Sequence, residues 1–392
     1  MQPLDLRKTL NWDACVECGE CLVNCRYIDF TRDEAVREIK KVNRGDTSGI
    51  LEKCVSCYAC DAFCPNDAHP YERIISGWDE RNKQQGLPMR AAYLMPGRRP
   101  NFREDIPFYA SEKEILNKWN QPDPPAQTVL YPGCNLLAMP FLATGKIFDL
   151  LPVWGNFDLC CGEMFFRTGN LDKTREIAKK LTEFYRDKPV REMVFICPAC
   201  FNMFTNVLPK QFGAEFDFKT TFLTDWLTAA LADGRLSITR PLTGSVVMHD
   251  SCHARVLGGA FMESQRAILK RLGLTVHETP QNRQHGLCCG MAAGANRFSV
   301  VDLVKNALRQ LLTLDRAEGD AAAIYCTGCL LMLSCVRPLA PFGKPLVHPL
   351  EYIRRAMGES VPRRNIPRAL SITAGILSHS LPWYFSRKTF RP

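Results

Sequence analysis

The stretch "GLCCGMAAG" (residues 286–294) sets two thiols side by side, Cys288 and Cys289, with Gly290 behind them. Neighbouring cysteines rarely bond each other, because the eight-membered ring strains disulfide geometry. The same device stands earlier in "DLCCGEMFF" (158–166), at Cys160, Cys161 and Gly162. Two matched pairs point to a purpose, and the sequence around them repeats as well.

A β-like run, "QTVLYPGC" (127–134), ends at Cys134, and a second, "GSVVMHDSC" (244–252), ends at Cys252. After the pairs come stretches of helical period, "LDKTREIAKKLTEFYRD" (171–187) and "SVVDLVKNALRQLLTLDRAE" (299–318). New β-like runs close on C-x2-C, "EMVFICPAC" with Cys197 and Cys200, and "AAAIYCTGC" with Cys326 and Cys329. The vicinal pairs lie 128 positions apart, the C-x2-C motifs 129, and the leading cysteines only 118. The first unit therefore lacks ten residues in its opening segment. Each unit reads strand, helix, CC-Gly, helix, strand, C-x2-C. That alternation predicts an α/β module with a parallel sheet, whose ligand gathers at the carboxyl ends of the strands. The glycines after the pairs are expected to let the backbone pass close to whatever the thiols bind. Each unit thus offers five thiols: Cys134, Cys160, Cys161, Cys197 and Cys200, then Cys252, Cys288, Cys289, Cys326 and Cys329. A cubane takes four terminal ligands, so five is one too many. Two readings stay open on this chemistry. One is an open cluster in which a thiolate bridges two irons; the other is an ordinary cubane or zinc site with a spare buried thiol.

The N-terminal region has a different pattern. "CVECGECLVNC" gives Cys15, Cys18, Cys21 and Cys25, and "CVSCYACDAFCP" gives Cys54, Cys57, Cys60 and Cys64 before Pro65. Structural zinc sites pair two short hooks across a longer loop. Three cysteines in successive C-x2-C steps instead suit three corners of one cubane, with the fourth ligand from the other run. The expected sets are Cys15, Cys18, Cys21 with Cys64, and Cys54, Cys57, Cys60 with Cys25. Arg26 stands where a proline commonly follows such a run. The insert between the runs has a partly helical pattern. From residue 86 a Pro-, Gly- and Arg-rich stretch reads either as a linker or as a segment lying along the next domain.

The pattern C-x35-CC-Gly-x35-C-x2-C of the second unit, with "VVMHDSCHARVLGG" and "LCCGMAAG", resembles the cysteine-rich CCG domain of heterodisulfide reductase. A ferredoxin-type region followed by two such units resembles the D subunit of the membrane-bound enzyme and its relatives, with eighteen of nineteen cysteines in register. The resemblance implies a mixed α+β and α/β chain: an N-terminal helical two-cluster ferredoxin-like domain followed by two repeated α/β CCG modules. The expected boundaries are 1–85 for the ferredoxin-like domain, 86–125 for a linker, 126–240 and 241–355 for the CCG domains, and 356–392 for a docking tail. It also implies two cubane [4Fe-4S] clusters and one or two non-cubane [4Fe-4S] clusters on the ten CCG cysteines, which split a disulfide in one-electron steps. Two departures, the 25-residue opening gap and Glu163 after the first CC-Gly, set the first module apart. Expected partners are other redox subunits, a membrane cytochrome b-type subunit or a flavoprotein, with a disulfide/thiol substrate. Similar architectures occur where the substrate is no heterodisulfide, as in the electron-transfer subunit of anaerobic glycerol-3-phosphate dehydrogenase. The alternative is therefore a relay between a partner dehydrogenase and a membrane cytochrome b or quinone site.

Composition fits this reading. The chain of 392 residues has 19 cysteines, and its first residues lack the apolar core of a secretory signal. Without export, cysteines point to metal ligands rather than disulfides. The formal charge of +9 is offset by bound thiolates and gives no case for nucleic acid. From Arg354 onward eight Lys/Arg face the single Glu359, around an uncharged segment ending in Trp383, Tyr384 and Phe385. That segment is too polar to span a bilayer and suits a membrane partner or the lipid interface, with a strap on its own domain as the other reading. The expected location is cytoplasmic, peripheral on the inner membrane. His249 and His253, flanking Cys252, read as cluster-loop hydrogen bonders ahead of proton donors. Cys335 reads as a small buried hydrophobe.

Overall fold

The computed structural model describes residues 6–392 apart from 47, 97, 99 and 104. Among the described residues are nine strands: β1 (Leu87–Pro88), β2 (Thr128–Tyr131), β3 (Glu192–Phe195), β4 (Lys219–Phe222), β5 (Ser245–His249), β6 (Thr275–His277), β7 (Ala321–Ile324), β8 (Leu346–Val347) and β9 (Thr389–Phe390). Strands β2, β3 and β4 form one parallel sheet in that order, and a second parallel sheet runs β6-β5-β7-β8. The central strands β3, β5 and β7 are largely apolar and buried, as parallel strands covered on both faces are. The chain is thus mixed α/β, with helices covering both sheets.

The two sheets differ where the first unit is short. The second unit joins β5 to β6 through the 13-residue helix Gly259–Arg271, whereas the first has only the four-residue helix Ile147–Leu150 there. In place of a strand equivalent to β6, the first sheet has a single parallel bridge, Leu130 to Val153. The shortening removes a covering helix and keeps the chain's course across the sheet.

The two N-terminal cysteine runs are joined by the helix Arg32–Arg44, started by a Thr31–Glu34 capping box and stopped at Gly45. A second helix, Pro70–Gln85, locks this region onto the first sheet's unit. Asn82 donates to the Thr168 and Gly169 carbonyls at 2.6 and 3.0 Å, and Asp79 accepts from the Leu171 backbone N–H at 2.9 Å.

The glycines after the vicinal pairs also let the backbone approach a neighbouring helix. Gly162 and Gly290 sit at φ 78° and 97°. A Cβ on Gly290 would collide with the Leu303 carbonyl and Ala307, and one on Gly162 would press on Ile177. The close approach is to the following helix, Val300–Arg316 or Leu171–Tyr185, while the Gly290 N–H also lies 3.3 Å from Cys288 Sγ. The glycine that does crowd a thiol is Gly133, whose added Cβ would stand 2.7 Å from Cys200 Sγ.

The segment from residue 86 is covered, with Ala91, Tyr93, Met95 and Trp119 buried. The C-terminal tail covers it. Strand β9 pairs antiparallel with β1, and the helix Asn365–Ser380 buries Arg368, Ala369 and Ile372. His379 stacks on Tyr93 with ring centres 4.3 Å apart, and Arg368 pairs with the buried Glu112. The tail is therefore a strap. It still leaves Leu377, Leu381, Trp383 and Phe385 exposed, the last at 89%.

Two outcomes are expected. Arg368→Leu strands the buried Glu112 carboxylate and should lower stability by about 3–5 kcal/mol in chemical unfolding. Gly290→Ala forces a left-handed residue against a carbonyl and should cost about 2 kcal/mol or more in the same measurement.

Candidate functional site

The N-terminal thiols sit in two loops of one design. Backbone φ turns positive at Glu17 (57°) and Gly19 (73°) in the first, and at Ser56 (56°) and Tyr58 (60°) in the second, the same places relative to the leading cysteine. Such left-handed residues turn consecutive N–H groups toward a common centre, a cradle for negative charge. The Ser56 and Ala68 N–H groups each lie 3.3 Å from a thiol, Cys54 and Cys64. One small cavity is lined by Cys15, Cys18, Cys21 and Cys64 together. Burial, then the proximity of Cys64, Cys15 and Cys18, pushes the Cys21 thiol up. Cys25 lies instead beside Cys57 and Cys54, and burial pushes both Cys25 and Cys54 up. Cys15, Cys18, Cys21 and Cys64 thus share one cavity, and Cys25 falls beside Cys54 and Cys57.

The other ten thiols form one continuous assembly. Cys134 contacts Cys160, Cys161 contacts Cys200 at 3.5 Å between sulfurs, and Cys200 contacts Cys197. Cys197 then meets Cys326 of the other sheet's unit. From there the contacts run through Cys329 and Cys289 to Cys288, with Cys252 facing Cys289. Hydrogen bonds with Cys160 and Cys200 bring Cys161 down to about 6, and those with Cys288 and Cys329 bring Cys289 well below a thiol's usual range. The second member of each vicinal pair is therefore the more thiolate-like. Both C-x2-C motifs open helices, Pro198–Asn202 and Thr327–Val336, and this places them at the carboxyl ends of β3 and β7.

The second unit's thiols abut the N-terminal region. The Cys288 N–H donates to Tyr27 Oη at 2.6 Å, and Arg255 donates to the Cys57 and Gly286 carbonyls. Val55, Cys57, Ala59 and Ala293 pack in one buried cluster against Cys252. The thiols of the second N-terminal loop thus come next to the second unit, and those of the first unit lie beyond it.

Arg167 joins all three regions. Fully buried, it pairs with Glu163, donates to the Ser56 carbonyl, lies 2.6 Å from His253 Nε2 and reaches Cys252 Sγ at 3.6 Å. Against burial, which raises it, Arg167 and His253 hold the Glu163 carboxyl down to about 2. Burial lowers His253 below the ordinary histidine range. Arg103 makes a similar approach to Cys134 at 3.7 Å.

The flanking histidines differ from the expectation. His253 Nε2 faces Glu163 Oε1 at 3.0 Å and Arg167 at 2.6 Å and bonds one or the other according to its tautomer. His249 is 2% exposed, faces Cys289, and neither ring nitrogen has a partner among the described residues. The matching position in the first unit is Tyr131, whose hydroxyl is committed to the Leu159 carbonyl. Glu163, read in the sequence only as a departure, lies in this network, and Arg167 and Arg255 carried no signal beyond falling near cysteine motifs.

Residues 129–205 and 246–334 match the model of the cysteine-rich domain family, CCG. Two stretches of the chain thus match that domain family. Over 401 aligned positions it is 24% identical to the D subunit of dihydromethanophenazine:CoB–CoM heterodisulfide reductase from Methanosarcina barkeri, covering 89% of this chain and 94% of that protein. The Methanosarcina mazei counterpart is 23% identical, over 74% of this chain and 80% of its own length. The EtfAB:quinone oxidoreductase of Syntrophomonas wolfei is 21% identical over 73% of this chain, which spans 48% of that protein. The chain therefore resembles the heterodisulfide reductase D subunits over most of its length.

Arg167→Met should strand Glu163 in a buried position and lower stability by about 3–5 kcal/mol. Hydrogen exchange at residues 54–60 should rise in the same variant. Arg167→Lys should not restore it, since a point ammonium cannot serve a carboxylate, a carbonyl and an imidazole together.

Proposed function

We propose that this chain is an iron–sulfur oxidoreductase subunit of a larger redox complex, in which electrons pass between two cubane [4Fe-4S] clusters and non-cubane [4Fe-4S] clusters that reduce or form a disulfide. The observation that supports this reading is the proximity of the thiols: Cys15, Cys18, Cys21 and Cys64 line one cavity, Cys25 lies beside Cys54 and Cys57, and the other ten form one run of contacts. The donor chemistry fits. Soft thiolates select iron–sulfur centres or zinc, and five thiols exceed the four of a structural zinc site. When bound, the clusters would supply one-electron transfer. The ligands would be Cys15, Cys18, Cys21 and Cys64 for one cubane and Cys25, Cys54, Cys57 and Cys60 for the other. Cys252, Cys288, Cys289, Cys326 and Cys329 would hold one non-cubane cluster, and Cys134, Cys160, Cys161, Cys197 and Cys200 a second.

The chain's own residues prepare these sites in three ways. Arg103, Arg167 and Arg255 put fixed positive charge beside buried thiolates, which otherwise resist ionisation. The left-handed loops aim N–H donors at the sulfurs. His249 offers a polar ring to whatever the second CCG thiols hold. The domain reading is a ferredoxin-like region over 1–85, a covered linker over 86–125, CCG modules over 126–240 and 241–355, and a tail over 356–392. Among the described residues no helix is long and apolar enough to cross a membrane. We place the chain on the cytoplasmic face of the inner membrane. The exposed Leu377, Leu381, Trp383 and Phe385 beside Arg387, Lys388 and Arg391 would face lipid or a membrane partner. The relay reading, without disulfide chemistry, draws support from the similarity to a quinone oxidoreductase.

Anaerobically purified protein should carry about sixteen irons, four clusters of four. It should reduce a disulfide with an artificial electron donor. Iron near eight per chain would leave the CCG modules without clusters, and full iron without disulfide turnover would favour the relay. Cys289→Ser should alter one unusual paramagnetic species while both cubane signals persist.

A further inference from the structure

A third kind of site lies apart from the cysteine sets. Asp61, on the short helix after Cys60, and Glu72, in the first turn of the helix Pro70–Gln85, turn their carboxylates toward each other with His69 between. Each carboxylate has one oxygen committed. The Tyr71 backbone N–H donates to Asp61 Oδ1 at 2.8 Å, and Gln211 Nε2 donates to Glu72 Oε1 at 3.3 Å. The other two oxygens, Asp61 Oδ2 and Glu72 Oε2, are buried without a hydrogen-bond partner, on side chains 6% and 8% exposed. They face His69 Nδ1 at 3.7 and 3.9 Å, too far for hydrogen bonds. Donors about 2.0–2.2 Å from a shared ion, at tetrahedral to trigonal angles, stand about 3.3–3.8 Å apart.

Among the described residues no lysine or arginine pairs with either carboxylate. The nearby Lys210 is turned to Asn206 Oδ1 at 2.8 Å. Two converging buried carboxylates are strongly unfavourable, and the imidazole of His69, which faces both, can oppose at most one of the two charges. His69, 30% exposed on its side chain, opens the site to solvent, and Asp67 stands 3.6 Å from its Nε2 at the mouth.

We propose that Asp61, His69 and Glu72 bind one divalent transition-metal ion of the Mn(II) or Zn(II) class, with water completing its coordination. Two carboxylate oxygens and one imidazole nitrogen form the mixed donor set such ions take, and the set lacks the many oxygens calcium requires. The ion would tie the N-terminal region to the first CCG module through Gln211. It would also put positive charge one residue from Cys60 and within electrostatic reach of Cys21. The site belongs to none of the cysteine sets.

The test is titration of the oxidised full-length holoprotein with Mn(II), read by loss of the free-ion EPR signal. One saturable equivalent per chain is expected. Glu72→Gln and His69→Gln should each weaken it at least tenfold with iron content unchanged. Bound Mn(II) should also speed spin relaxation of the reduced cubane held by Cys60. That wild-type readout decides the matter if a variant loses iron. The proposal is overturned by absence of saturable Mn(II) and Zn(II) uptake, by uptake unchanged in the double variant, or by bound Mn(II) that leaves cubane relaxation unaltered.

Discussion

The geometry of the whole molecule turns on the buried guanidinium of Arg167. One planar group meets a carboxylate from the first CCG module, a histidine and a thiol from the second, and a carbonyl from a cysteine loop of the N-terminal region. A buried arginine is tolerable only where its donors are satisfied and its charge is opposed. Three parts of the chain must therefore arrive in one arrangement for any of them to be stable there. Arg255 repeats the idea nearby, with three backbone carbonyls as acceptors. These two residues fix the separation between the N-terminal thiols and those of the second module more firmly than apolar packing alone, which tolerates small slides.

Cysteine spacing made much of this legible, because metal-binding loops impose rigid offsets that survive in sequence. The strand runs ending at Cys134, Cys252, Cys197 and Cys326 became β2, β5, β3 and β7, and the long periodic stretches became the helices Leu171–Tyr185 and Val300–Arg316. Strands β4, β6 and β8 do not run into a cysteine, so they left no comparable mark. The contact between Cys197 and Cys326 was beyond sequence reasoning for another reason. It depends on how the two units pack, and periodicity within a unit says nothing of its neighbour. The ten missing residues illustrate the same limit: counting located the gap, but only the fold assigns it to a covering helix.

The burial of charge also bears on composition. Among the described residues six arginines are buried, nearly balanced by the five buried acids Glu72, Asp79, Glu112, Asp250 and Glu351. Arg103, Arg167, Arg255, Arg266, Arg354 and Arg368 are buried, the first three against cysteine loops. Arg266 answers Asp250 and Glu278, at 2.7 and 2.6 Å. A net charge read from composition overstates the field such a protein presents to a partner, since the basic excess is partly spoken for by sulfur.

The ribbon of β1 and β9 sets an order of events during synthesis. Its strands are about 300 residues apart in sequence. At roughly 5–20 residues per second a ribosome needs about 15–60 s to deliver the second after the first. Through that interval the segment over residues 86–108 lacks its cover, and Glu112 waits for Arg368. Both N-terminal cysteine loops and the first vicinal pair are complete well before the strap exists. Any metal those loops take up would thus meet an early window, which the later-made strap closes.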